Sequence, residues 1–123
     1  MRAMSFALTP EQLLDGSKTV TRRRRWNKLK PGDKLIACRK AMGLKKGEKR
    51  EDFGVIEILS IRREKLKAIT QDDVRREGFP GMNPAQFIAM FCQHMKCDAS
   101  VFVRRIEFKF TPHLKGTDGN DQA

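Results

Sequence analysis

An α+β domain whose mostly antiparallel sheet curls into a barrel is predicted from three observations. The apolar and capping patterns read in the order β-α-β-β-β-α-α-β. Pro31-Gly32-Asp33 stands directly before the apolar run 34–39, a turn-then-strand arrangement common in small barrels. The stretch Phe53–Arg62 is apolar on both alternating faces, as a central strand must be.

Met4–Leu8 is a short apolar stretch and reads as the first strand. Thr9-Pro10-Glu11-Gln12 then starts a helix, with Thr9 at the cap, Pro10 at the first position and Gln12 placed to complete a capping box. Leu13 and Leu14 give the buried side, and Gly16 ends the helix after about two turns. Thr19–Trp26 is read as a strand, with Thr19, Thr21, Arg23 and Arg25 on one face and Val20, Arg22, Arg24 and Trp26 on the other. The strand 34–39 follows the turn at 29–33, and 41–52 forms a basic, glycine-containing loop.

Beyond the central strand, Thr70 with Asp73 caps a helix that runs to about Glu77 and stops at Gly78. Asn83-Pro84-Ala85-Gln86 starts the next helix, in which Phe87, Met90, Phe91 and His94 recur as a core-facing stripe. The closing strand, Val101–Phe110, sets Phe102, Ile106, Phe108 and Phe110 against Arg105, Glu107 and Lys109. Residues 1–110 are therefore expected as the domain, and 111–123 as a disordered polar tail.

With 123 residues the chain builds one domain. A net charge of +11 favours polyanionic partners and makes nucleic acid or nucleotide the leading partner class. No apolar run approaches the roughly 20 residues that cross a bilayer, and the start of the chain lacks an apolar leader. Three cysteines, Cys38, Cys92 and Cys97, without an export signal point to free thiols in a cytoplasmic protein. Cys92 and His94 point in opposite directions on a helix, so no metal site is expected, and no cofactor motif is present.

The most concentrated chemistry lies at the first helix–strand junction. Lys18 stands at the turn, Thr19 and Thr21 follow, and Arg22, Arg23, Arg24 and Arg25 lead to Trp26, the only tryptophan. Arginines can pair with phosphate in a bidentate manner and stack on bases, and Trp26 can stack on an unpaired base. Lys45 and Lys46 in the basic loop would add phosphate contacts. A phosphate-binding Lys18, a plain strand hydroxyl on Thr21 and a salt-bridged Glu77 are the simpler readings of the same residues.

Gly16-x-Lys18-x-x-Thr21-x-Arg23, followed by Pro31-Gly32-Asp33, resembles the signature of ASCH domains, members of the PUA-like superfamily. Glu77-Gly78-Phe79 and the strand Val103–Phe110 resemble later blocks of the same family, so the resemblance spans roughly residues 4 to 110. It implies a PUA-like barrel with helices flanking a cleft for RNA or modified bases. One bacterial branch hydrolyses N4-acetylcytidine, and its catalytic lysine, threonine and glutamate are similar to Lys18, Thr21 and Glu77. A ribonuclease, a non-catalytic RNA-binding module and a protein-interaction module are the alternatives that the family offers. The loop at 41–52 and the four successive arginines depart from the amidohydrolase branch and favour a larger anionic ligand. In the hydrolytic reading, Thr21 is a nucleophile only if a neutral Lys18 takes its proton, with Glu77 protonating the leaving nitrogen or orienting a water, and backbone N–H groups or an arginine such as Arg23 facing the oxyanion.

Overall fold

A computed structural model describes residues 1–113. The elements are β1 (Ala3–Ser5), α1 (Pro10–Leu14), β2 (Val20–Arg23), β3 (Lys34–Cys38), β4 (Asp52–Lys65), a 3-10 turn (Leu66–Ala68), α2 (Gln71–Arg76), α3 (Pro84–Met95) and β5 (Phe102–Pro112). Strands and helices follow the predicted order, with the 3-10 turn added. The closing strand passes residue 110, and the rest of the expected tail, 114–123, lies outside the described residues.

The five strands form one sheet in the order β1-β3-β4-β5-β2. Only β1 and β3 pair in parallel, and β4 is central, as its two apolar faces require. The sheet curls into a half-barrel. Its two edge strands are tied by Arg23, whose Nη2 donates to the Ser5 carbonyl at 2.7 Å. Inside the curl lie Met4, Phe6, Leu35, Ile56, Ile58, Ile106 and Phe108. Each such side chain contributes about 1.5–3 kcal/mol by leaving water. A bulge between Ile58 and Ser60 turns Leu59 outward and shifts the alternation, so Ile61 faces the same core as Ile56 and Ile58. The opposite face of β5 packs through Val103 against Leu66, Val74, Phe87 and Phe91, which seats α2 and α3.

Local chemistry explains the helix starts. Thr70 Oγ1 accepts from the Asp73 backbone N–H at 3.2 Å. Asn83 and Gln86 form a reciprocal capping box, both bonds at 2.8 Å. At α1 the expected box does not form. Thr9 makes no side-chain cap bond, and Gln12 Nε2 instead donates to the Gly78 carbonyl at 3.2 Å, across the domain. Gly78 has a φ of +102°, which an L side chain rarely adopts, and a Cβ there would meet the Gln12 side chain at 2.8 Å. Helix α1 is thereby held directly against the corner that carries Glu77.

Candidate functional site

Strand β2 is shorter than expected. It ends at Arg23, and Trp26 lies beyond it with a φ of +72°. Arg22, Arg24 and Trp26 therefore do not form one open face. Arg22 is 4% exposed, whereas Arg24 and Arg25 project into solvent outside the strand. Trp26 packs half-buried on the inner core, with the Arg2 guanidinium 5.1 Å from its ring centroid. The sequence pattern showed alternation but not where β2 would leave β5, which continues past Arg104 to Phe102.

The turn after α1 carries Lys18 inward. Its backbone N–H donates to the Gln12 carbonyl, and that of Thr19 donates to the Arg76 carbonyl, which ties the junction to the end of α2. Lys18 Nζ then donates to Glu77 Oε1 at 2.8 Å and to the Glu77 carbonyl at 2.9 Å. Both side chains are 4% exposed. Burial pulls the Lys18 amine below its ordinary value, and the positive fields of Arg23 and Arg22 add to this; the Glu77 carboxylate opposes them.

Behind this pair stands an ion cluster. Arg22 donates to Asp73 Oδ2 at 2.6 Å, Glu64 Oε2 at 2.7 Å and Glu77 Oε2 at 3.3 Å. Arg105 grips the same Asp73 through two bonds of 2.7 and 3.0 Å. Those bonds, with the one from Arg22, hold the Asp73 carboxyl well below the usual carboxylate range in spite of its burial. Burial alone would raise Glu64, but hydrogen bonds from Arg62 and Arg22 outweigh it and lower it. Arg105, expected on the polar face of its strand, is 6% exposed and belongs to this buried cluster. From the sequence Asp73 reads only as a helix-capping residue and Arg105 only as a polar-face residue, and Glu64 carries no signal. The available signal was a run of arginines in a strand, half of which must turn inward and find acids.

Thr21 and Arg23 lie on the other face of β2. Arg23 Nε donates to Thr21 Oγ1 at 3.0 Å, and the Arg23 guanidinium sits 4.9 Å from the Phe6 ring centroid. Burial lowers Arg23 to about 10, against the raising field of Glu77. Lys18, Thr21, Arg22, Arg23 and Glu77 share the wall of one cavity of about 190 Å³. Its facing wall is apolar and comes from Phe79, Phe87, Met90 and Phe91. The predicted core stripe is thus divided: Phe87 and Phe91 are buried, Met90 is half-buried, and His94 is exposed at the cavity mouth rather than packed. Lys45 and Lys46 lie on the exposed loop and do not line the cavity.

A space of this size suits a single substituted ring; a cavity near 150 Å³ already admits benzene. One wall offers hydrogen bonds and positive charge, and the other offers aromatic and thioether surface. The three cysteines are unpaired, and no group of three or more metal-ligating side chains occurs among the described residues. No described helix is long and apolar enough to cross a membrane.

No family model matches the sequence, and no curated protein matches it. Solved structures do match in fold. An ASCH domain from Lactobacillus crispatus is 16% identical with a TM-score of 0.58, covering 91% of this chain and 80% of that one. A DUF984-family protein from Enterococcus faecalis is 11% identical with a TM-score of 0.58, covering 82% and 68%. The chain has the fold of an ASCH domain, a PUA-like half-barrel with flanking helices.

Proposed function

We propose that the cavity binds one nucleobase and hydrolyses an acyl group from its exocyclic nitrogen, with N4-acetylcytidine as the representative substrate. The observation that carries this reading is the buried Lys18–Glu77 pair at 2.8 Å on the wall of a ring-sized cavity that Thr21 also lines. A lysine that only bound phosphate would gain nothing from being sealed against a carboxylate. A lysine that must lose its proton gains from burial and from neighbouring guanidiniums.

In this reading Thr21 is the nucleophile. Its Oγ1 accepts a hydrogen bond from Arg23, so its own proton points elsewhere and is open to abstraction. Neutral Lys18 takes that proton as Oγ1 bonds to the acyl carbon. Arg23 stabilises the oxyanion that forms. Glu77, hydrogen-bonded to Lys18, relays the proton to N4 as the carbon–nitrogen bond breaks. Water then attacks the acyl-threonine as Lys18 accepts its proton, Lys18 returns that proton to Thr21 Oγ1 as the acyl–oxygen bond breaks, and the carboxylic acid leaves. The base lies between the Lys18–Glu77 wall and the ring surfaces of Phe79 and Phe87.

The test is incubation of the protein with N4-acetylcytidine and chromatographic measurement of cytidine, with Lys18→Ala beside it. Cytidine from the wild type alone is the expected result. No cytidine at high protein concentration would overturn the reading.

A further inference from the structure

Helix α3 ends in a tight reversal that brings two cysteines together. Lys96 takes the left-handed conformation, with a φ of +55°, and the Cys97 backbone N–H then donates back to the Cys92 carbonyl at 3.1 Å. The Cys92 thiol is hydrogen-bonded to the Cys97 sulfur. Both side chains lie half-buried against the cluster that holds Leu66, Val74, Phe87 and Phe91. Cys38 lies apart from them: it is fully buried, and its Sγ donates to the Met4 carbonyl at 3.6 Å. An apolar contact is common where a helix ends in this way, and cysteine satisfies it as a small hydrophobe. A pair of cysteines in that contact also carries a chemistry that two aliphatic side chains lack.

The backbone already has the geometry of a bridge. Residues bonded directly through backbone N–H and carbonyl hold their Cα atoms about 5–6 Å apart, within the span of about 4.4–6.8 Å that a disulfide needs. Both sides are anchored. Cys92 sits in the body of α3, and the chain after Cys97 is tied to the 3-10 turn, where the Lys67 and Leu66 N–H groups donate to the carbonyls of Ala99 and Val101 at 3.2 and 2.9 Å. The Asp98 carboxylate accepts from the Ser100 N–H at 2.8 Å and fixes the turn between them.

The bridge would close a ring around part of the cavity mouth. His94 and Met95 lie between the two cysteines, and both line the cavity. Residues 93–96 are all exposed, so few apolar contacts hold this last turn.

We propose that Cys92 and Cys97 form a reversible disulfide switch, oxidised by a low-molecular-weight disulfide of the glutathione type, that staples the mouth of the cavity. Burial, then the Cys97 sulfur and the Asp98 carboxylate, push the Cys92 thiol up, which leaves Cys97 as the first nucleophile. The Cys97 thiolate attacks one sulfur of the small disulfide, and the other sulfur leaves as a thiolate. The Cys92 thiolate then attacks the Cys97 sulfur and expels the second small thiolate. The protein gives up two electrons and two protons, and one small disulfide becomes two thiols.

The test incubates the reduced full chain with oxidised glutathione and reads intact mass, peptide maps and amide hydrogen exchange. The expected product has lost two hydrogens, carries a Cys92–Cys97 cross-link and returns to its starting mass with dithiothreitol. Cys92→Ser should stop with one glutathione retained on Cys97. Exchange at residues 94–97 should slow by at least about tenfold in the oxidised wild type, with the paired amides of β4 and β5 unchanged as the reference. Glutathione retained on the wild type without an internal bridge, a bridge to Cys38, cross-linked dimers or no reaction of the folded protein would overturn the proposal. An internal bridge with unchanged exchange at residues 94–97 would overturn the stapling of the mouth.

Discussion

Lys18 and Glu77, 59 positions apart, meet through two hydrogen bonds from one amine, at 2.8 Å to the carboxylate and 2.9 Å to the carbonyl of the same residue. The second bond fixes the amine to the backbone of the α2 terminus as well as to a rotatable carboxylate. The proposed proton path therefore starts from a group with little freedom to wander.

Lys18→Arg keeps the positive charge but cannot supply a neutral base at any working pH. Release of cytidine should fall by at least about a hundredfold, within the range that general base catalysis contributes. Thr21→Ala should fall as far while retaining the circular dichroism of the folded domain. Wild-type turnover in either variant would remove Lys18 or Thr21 from the mechanism.

A pH–rate profile of kcat/KM tests the protonation state directly. Burial lowers Lys18, so the rate should rise with pH through a limb below the ordinary lysine value of about 10.4. A limb at that ordinary value, or a flat profile, would mean that Lys18 is not the base.

Asp73 is shared by two arginines and is 5% exposed. Asp73→Asn removes the charge that both bind, and breaking such a buried arrangement costs about 3–5 kcal/mol. Because the folded-state pKa of Asp73 is depressed, its contribution is fully present above the unfolded value of about 3.9 and is lost as pH falls toward the folded value. Urea titrations between pH 7 and pH 3 should show the wild type losing stability on acidification and Asp73→Asn losing less. Parallel losses would assign the acid sensitivity to other carboxylates.

Neighbouring arginines should behave very differently. Arg22→Ala leaves Asp73, Glu64 and Glu77 short of a buried partner and should lower the urea midpoint severely. Arg24→Ala, on an exposed side chain, should change stability by no more than about 0.5 kcal/mol. Equal effects would contradict the burial of Arg22.

Much of the fold was legible because its signals are local. The Asn83–Gln86 box, the Thr70 cap and the glycines at positions 16 and 78 act within a few residues of themselves. Lys18, Thr21 and Glu77 were nameable through family-like spacing, and the structure places all three on one cavity. Two of the three carboxylate partners of Arg22 were not legible, because Glu64 and Asp73 lie 42 and 51 positions away and their charges also suit exposed or capping roles. The division of the Phe87–His94 stripe was hidden for a related reason. Helical spacing says which residues share a side, but not whether that side meets a core or the wall of a cavity.

Arg22, Arg105 and Arg62 are paired across β2, β5 and β4, and Arg23, Arg104 and Arg63 are paired one residue along on the opposite face, an arrangement that acts as a proofreading device for strand alignment. A one-residue slip of β5 would turn Arg105 away from Asp73 and bring Arg104 to the acid side, while Ile106 and Phe108 would leave the core. Misalignment is thus penalised twice, by exposed apolar surface and by charges separated from their counterions. A chain with so many cations can in this way keep one pairing of its sheet without relying on hydrophobic contrast alone.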